Sequence, residues 1–253
     1  MVSALKLHRP HTFHGFGQAD VTEAKAAIRR LTRQRGEGVS LHAWVAHCLA
    51  EAACRHPEVL TFRHGKRLVT FHDADIATTI ARRLPDGSTV AGAYTLRAAQ
   101  TKSVLDLNAE LRAAVKTPLS EDEGGRLRRR LAERSWVTRA WIGRRMQRDP
   151  HMLRAYFGTI GLTNLQVPAF SSVYYALPPN FYTMTIAIGP VSPGLRLTPD
   201  GATERRHMLS VAMAVDHALL DGVPAARFGR TLGNLLESAY GLTEGAPAAA
   251  DDA

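Results

Sequence analysis

The chain has 253 residues, 45% of them hydrophobic, with 32 Lys and Arg against 23 Asp and Glu. That length supports one large domain with a sizeable core, and no apolar run approaches the ~18 to 20 residues that a bilayer-spanning helix needs. The formal charge of +9 favours anionic partners, and two cysteines make neither a disulfide framework nor a metal site.

Met1 to Lys6 holds no signal-peptide core, so the expected location is cytoplasmic. His8, His11 and His14 follow at intervals of three, but Pro10 interrupts them and no acidic or cysteine ligand accompanies them; no metal is expected. An Ala-rich helical pattern then carries His42, His47, Cys48 and Cys54, read as packing or surface histidines and two buried small apolar residues. Between Arg126 and Arg148 nine arginines stand against one acid, Glu133, with Trp136 and Trp141 interleaved. Such a segment is either a solvated helix with its Leu and Trp positions packed inward, or a surface for an anionic partner: coenzyme A phosphates, an acidic carrier protein or an anionic membrane. No nucleic-acid motif is present, and nucleic acid is not expected. Leu209, Val211, Met213 and Val215 alternate with Ser210, Ala212, Ala214 and Asp216, which reads as a strand. Ala225, Phe228, Leu232, Leu235, Leu236 and Ala239 recur at helical spacing, with Pro224 suited to a first turn. Between the two lies Asp216-His217-Ala218-Leu219-Leu220-Asp221-Gly222, so an imidazole and two carboxylates meet at a strand-to-helix turn. A histidine there can act as a general base near neutral pH. Residues 1–243 are expected to form the domain, and 244–253 a disordered tail.

His-x-x-x-Asp-Gly, between an apolar strand and an Ala/Phe-rich helix, resembles the signature of the coenzyme A-dependent acyltransferases. These include chloramphenicol acetyltransferase and the catalytic cores of dihydrolipoamide acyltransferases from the 2-oxo acid dehydrogenase complexes. Further segments resemble those cores in the same order. They are Gln18 to Thr22, Val39 to Pro57, Ile76 to Leu107 with its Leu84-Pro85-Asp86-Gly87 turn and Lys102-Ser103-Val104-Leu105-Asp106-Leu107, and Gly158 to Leu165. The resemblance runs from about residue 10 to about residue 240 and implies an α/β (α+β) fold, a mixed β-sheet flanked by helices. The stretch from about 118 to 155 is longer than the family's and reads as a basic helical insertion.

What the resemblance implies for chemistry is acyl transfer between coenzyme A and a dihydrolipoyl-type thiol or another small acceptor. His217 corresponds to the general base, its ring held by a bond to its own carbonyl. Thr163 falls where a Ser or Thr hydroxyl donates to the tetrahedral oxyanion. Asp221 corresponds to a carboxylate or amide that orients the site, often through an arginine. Asp216 before the histidine is as in dihydrolipoamide acyltransferases, whereas Ala218 after it is as in chloramphenicol acetyltransferases, so the acceptor is left open. Gln166 replaces a usual Gly, and the loop beyond Thr163 is expected to differ in shape. The family's site lies between two lobes, and a single-lobe chain is expected to form a homotrimer with interfacial sites; larger cubic or dodecahedral cages are the other assembly the resemblance allows. The chain carries no lipoyl attachment site, so a lipoyl or acyl carrier would act in trans. The competing reading is a non-catalytic trimeric scaffold that recruits an anionic partner through Arg126–Arg148.

Overall fold

The computed structural model describes residues 11–83, 87–117, 133–165, 175–178, 181–198 and 200–242. The Pro-Asp turn at 84–86, the first half of the basic insertion, Gln166 and the tail 244–253 lie outside the described residues. Among the described residues eight strands and six α-helices follow in chain order: β1 (Thr12–Asp20), α1 (Thr22–Arg35), α2 (Leu41–Arg55), β2 (Thr61–His64), β3 (Arg67–Thr70), β4 (Ile76–Arg83), β5 (Thr89–Leu96), α3 (Val104–Lys116), α4 (Trp136–Arg148), α5 (Pro150–Phe157), β6 (Ile160–Asn164), β7 (Met184–Leu197), β8 (Thr203–Asp216) and α6 (Gly222–Glu237). Among the described residues no helix is long and apolar enough to cross a membrane.

Six strands form one mixed sheet in the order β1-β8-β7-β6-β4-β5. β6 runs parallel to both β4 and β7, and the remaining pairs are antiparallel. β2 and β3 make a separate hairpin. The Ala-rich pattern becomes α2, a helix with little exposed surface. Ser40 caps it by accepting from the Ala43 amide at 3.1 Å, and its buried residues include Trp44, Val45, Cys48 and Leu49. Small alanines let α2 approach α3 and α6 closely, and the core lies between these helices and the sheet. α6 buries the stripe read from the sequence: Ala225, Phe228, Leu232, Leu235 and Leu236. Cys48 is buried, and burial pushes its thiol pKa upward, whereas Cys54 is exposed, contrary to the sequence reading. The cause is geometric: six residues along a helix is 600° of rotation, which turns Cys54 well away from Cys48.

The Gly-Thr pair before β6 turns out to hold the fold together. Gly158 has φ +80°, and a Cβ there would stand 2.3 Å from the Asp75 carbonyl oxygen. Thr159 is fully buried; its amide donates to the Asp75 carbonyl at 2.7 Å, and its hydroxyl donates to the Asp73 carbonyl and accepts from the Asp75 amide. The buried Asp75 carboxylate accepts from Arg154 Nε at 2.8 Å and from the Ala98 amide at 2.8 Å. One carboxylate and one hydroxyl therefore tie α5 to the starts of β4 and β6.

Candidate active site

His217 stands where β8 turns into α6. The turn is tight because the Asp216 carbonyl accepts from the Leu219 and Leu220 amides, and the Asp216 carboxylate accepts from the Ala218 amide at 3.0 Å. The edge strand fixes the other side: the His217 amide donates to the His11 carbonyl at 2.8 Å, and the Phe13 ring meets the imidazole edge-on, centroids 5.1 Å apart. The side chain stays 53% exposed and faces an open cleft of about 420 Å³ lined by His11, Thr12, Phe13, His217 and Ala218. A histidine held by its backbone and one ring face, with a ring nitrogen open to a cleft, can accept a proton from a ligand placed there.

Nδ1 of His217 faces Asp221 Oδ1 at 3.5 Å, one helical turn on. Asp221 immediately precedes α6 but forms no side-chain cap, and it pairs with this histidine and not with an arginine among the described residues. Its side chain is 84% exposed, so solvent screens the pair and its contribution to stability is small.

Thr163 lies near the carboxyl end of β6. Leu162 packs into the core beneath the helices and the Asn164 amide meets the His42 ring, so alternation points Thr163 to the opposite side of the sheet. Thr163 is half-buried, and among the described residues its hydroxyl has no hydrogen-bond partner. In register Thr163 is level with Ala187 on β7 and, through it, with Ala212 on β8. His217 is five residues past Ala212 and two strands away, which puts the groups roughly 15 to 20 Å apart within one chain. So Asp221 and His217 are brought together, and Thr163 is not.

Phe13 and the His11 carbonyl were not identifiable from the sequence as site residues, because they reach His217 only through the β1–β8 register. His42 and His47 pack as expected. His42 bridges Thr78 Oγ1 at 2.8 Å and Asn164, and His47 meets the Lys102 carbonyl at 3.1 Å and stacks on Tyr240. Among the described residues no group of three His, Cys, Asp or Glu side chains is placed to hold a metal ion.

The mixed six-stranded sheet and the helices packed on it make the chloramphenicol acetyltransferase-like fold. No protein-family model and no curated protein matches the chain by sequence. Among solved structures it is similar to the cubic core of a pyruvate dehydrogenase multienzyme complex, with 18% identity over 95% of this chain and 89% of that one and a TM-score of 0.67. It is also similar to the dihydrolipoamide acetyltransferase of Azotobacter vinelandii, with 19% identity over 92% and 84% and a TM-score of 0.63. A chloramphenicol acetyltransferase matches at 14% identity over 92% of both chains, with a TM-score of 0.52. At these identities the likeness is one of fold. The Azotobacter structure belongs to an investigation of a serine, a histidine and an asparagine in that enzyme's catalytic mechanism. There the serine precedes the histidine by 52 residues and the asparagine follows it by four. Here Thr163 precedes His217 by 54 and Asp221 follows it by four.

Proposed function

We propose that this chain is an acyltransferase that moves an acyl group between coenzyme A and a thiol of dihydrolipoyl type, or another small acceptor. Its sites would form between copies of the chain. The observation that carries the reading is the spacing of Thr163, His217 and Asp221, which parallels that of the serine, histidine and asparagine in the Azotobacter enzyme on the same fold.

In this reading Asp221 engages Nδ1 of His217, leaving Nε2 to take the proton from the attacking thiol. The thiolate attacks the thioester carbonyl and forms a tetrahedral oxyanion. The Thr163 hydroxyl of a neighbouring copy donates to that oxygen. Collapse breaks the carbon–sulfur bond to the leaving thiolate, and His217 returns its proton to that sulfur. The cleft beside Phe13 gives one thiol its approach. The separation of Thr163 from His217 along the sheet is the reason for assigning the two groups of one site to different copies, in a homotrimer with three interfacial sites. A lipoyl or acyl carrier protein would present its thiol in trans.

The test is transfer from acetyl- and longer acyl-coenzyme A to free dihydrolipoamide. His217→Ala is expected to lower the rate ~100- to 10,000-fold, and Thr163→Ala ~100- to 1,000-fold. Mixing the two variants as one refolded oligomer separates interfacial from single-chain sites. Random pairing of His from one copy with Thr from another restores about a quarter of the wild-type sites, whereas single-chain sites stay dead. A protein that neither turns over nor binds coenzyme A would instead be the trimeric scaffold of this fold.

A further inference from the structure

Among the described helices α4 exposes the most large apolar side chains, three against at most one on any other. It is capped by Ser135, whose hydroxyl accepts from the Thr138 amide at 3.3 Å, and it packs chiefly against α5. Gly143 is buried and Thr138 and Ile142 are half-buried, which marks the inward side. On the outward side Trp136 is 74% exposed, Val137 56% and Trp141 59%. Arg144, Arg145 and Arg148 are exposed as well, and the helix contains no Asp or Glu. At about 100° per residue these six side chains fall within one half of the helix circumference. The apolar residues occupy its first turns and the arginines its last, and the Arg145 guanidinium lies 5.4 Å from the Trp141 ring centroid.

We propose that this face of α4 docks on an anionic lipid bilayer. Indole rings settle at the level of lipid headgroups, where the ring is shielded and its N–H stays wet, and guanidinium groups beside them pair with phosphate oxygens. An acidic protein would offer the same charge, but a single convex helix face about 20 Å long presents far less than the ~800 Å² that a stable protein partner covers on each side. A bilayer needs no complementary socket. The inference does not depend on the proposed acyltransfer, because α4 contains none of the groups assigned to that reaction.

The tryptophans themselves report on the contact. Of the three in the chain, Trp44 is wholly buried and donates its Nε1–H to the Tyr240 carbonyl at 2.9 Å, so a change in emission on binding arises from Trp136 and Trp141. The full chain is titrated with vesicles of phosphatidylcholine alone, and of phosphatidylcholine with phosphatidylglycerol. The expected result is co-sedimentation with the anionic vesicles only, with a blue shift of tryptophan emission. Trp136→Ala with Trp141→Ala, and separately Arg144→Gln with Arg148→Gln, should each weaken binding by about tenfold or more. Arg30→Gln with Arg33→Gln removes the same charge from the exposed side of α1 and should leave binding within about twofold. Equal weakening by both arginine pairs, or binding without a blue shift, would mean general adsorption of a +9 protein and would overturn the proposal. So would indifference to vesicles combined with saturable binding to an acidic protein domain.

Discussion

His42 shows how an ionisable side chain can be made to hold strands together. The Asn164 amide donates towards its Nδ1 across 3.3 Å, which leaves the proton on Nε2, 2.8 Å from the Thr78 hydroxyl. Burial lowers its pKa to about 4. The unfolded chain then binds a proton near 6.5 that the native state refuses, so stability is full above that value and falls as the pH drops towards 4. Between about pH 7 and pH 5 this residue alone is expected to remove about 2 kcal/mol, read as a lower urea midpoint that flattens in His42→Gln. Burial also lowers His47, which adds a loss of the same sign. At this scale the sequence was informative wherever spatial and chain neighbourhood coincide. His217 and Asp221 lie one helical turn apart and were legible, as was the turn that carries them. Phe13 was not, since its contact with His217 spans most of the chain length and is set by strand pairing.

Elements read well where the residue types alternate or keep a stripe, and badly where they do neither. β8 alternates cleanly and α6 keeps its stripe, so both were visible. β7 was not, because Met184 to Gly189 are buried on both faces and show no period of two, and Gly189-Pro190 and Pro193-Gly194 resemble a turn. The structure accommodates the first of these pairs as a bulge between Ile188 and Val191. Resemblance drew attention to the Gly158-Thr159 pair, but its reason is physical. Gly158→Ala would combine a positive φ with a Cβ pressed against the Asp75 carbonyl, which the Thr159 bonds hold in place. A loss of at least about 2 kcal/mol is expected, seen as a lower urea midpoint with an unchanged slope. At the start of α2, Ser40→Ala removes the cap on Ala43 and should cost about 1 kcal/mol in the same assay.

Helices α1, α2, α3 and α6 pack on one side of the six-stranded sheet, and Thr163 points to the other, where Ala77 of β4 clusters with Leu153 and Phe157 of α5. Under the interfacial reading, that second side and the His217 cleft are where copies meet. Sedimentation equilibrium is expected to give three times the 27.6 kDa chain mass; a monomer that retains full transfer activity would remove the interfacial assignment. The expected assembly rests on family likeness alone, because a sequence marks small and apolar strand residues without saying whether a helix or a second chain covers them. The 15 to 20 Å between Thr163 and His217 also has a genetic consequence. Each copy would serve two sites, giving its base to one and its hydroxyl to the next. A copy lacking both groups would silence two sites of its trimer, so a minority of defective chains would depress activity out of proportion to its number, and the defect would behave as partially dominant.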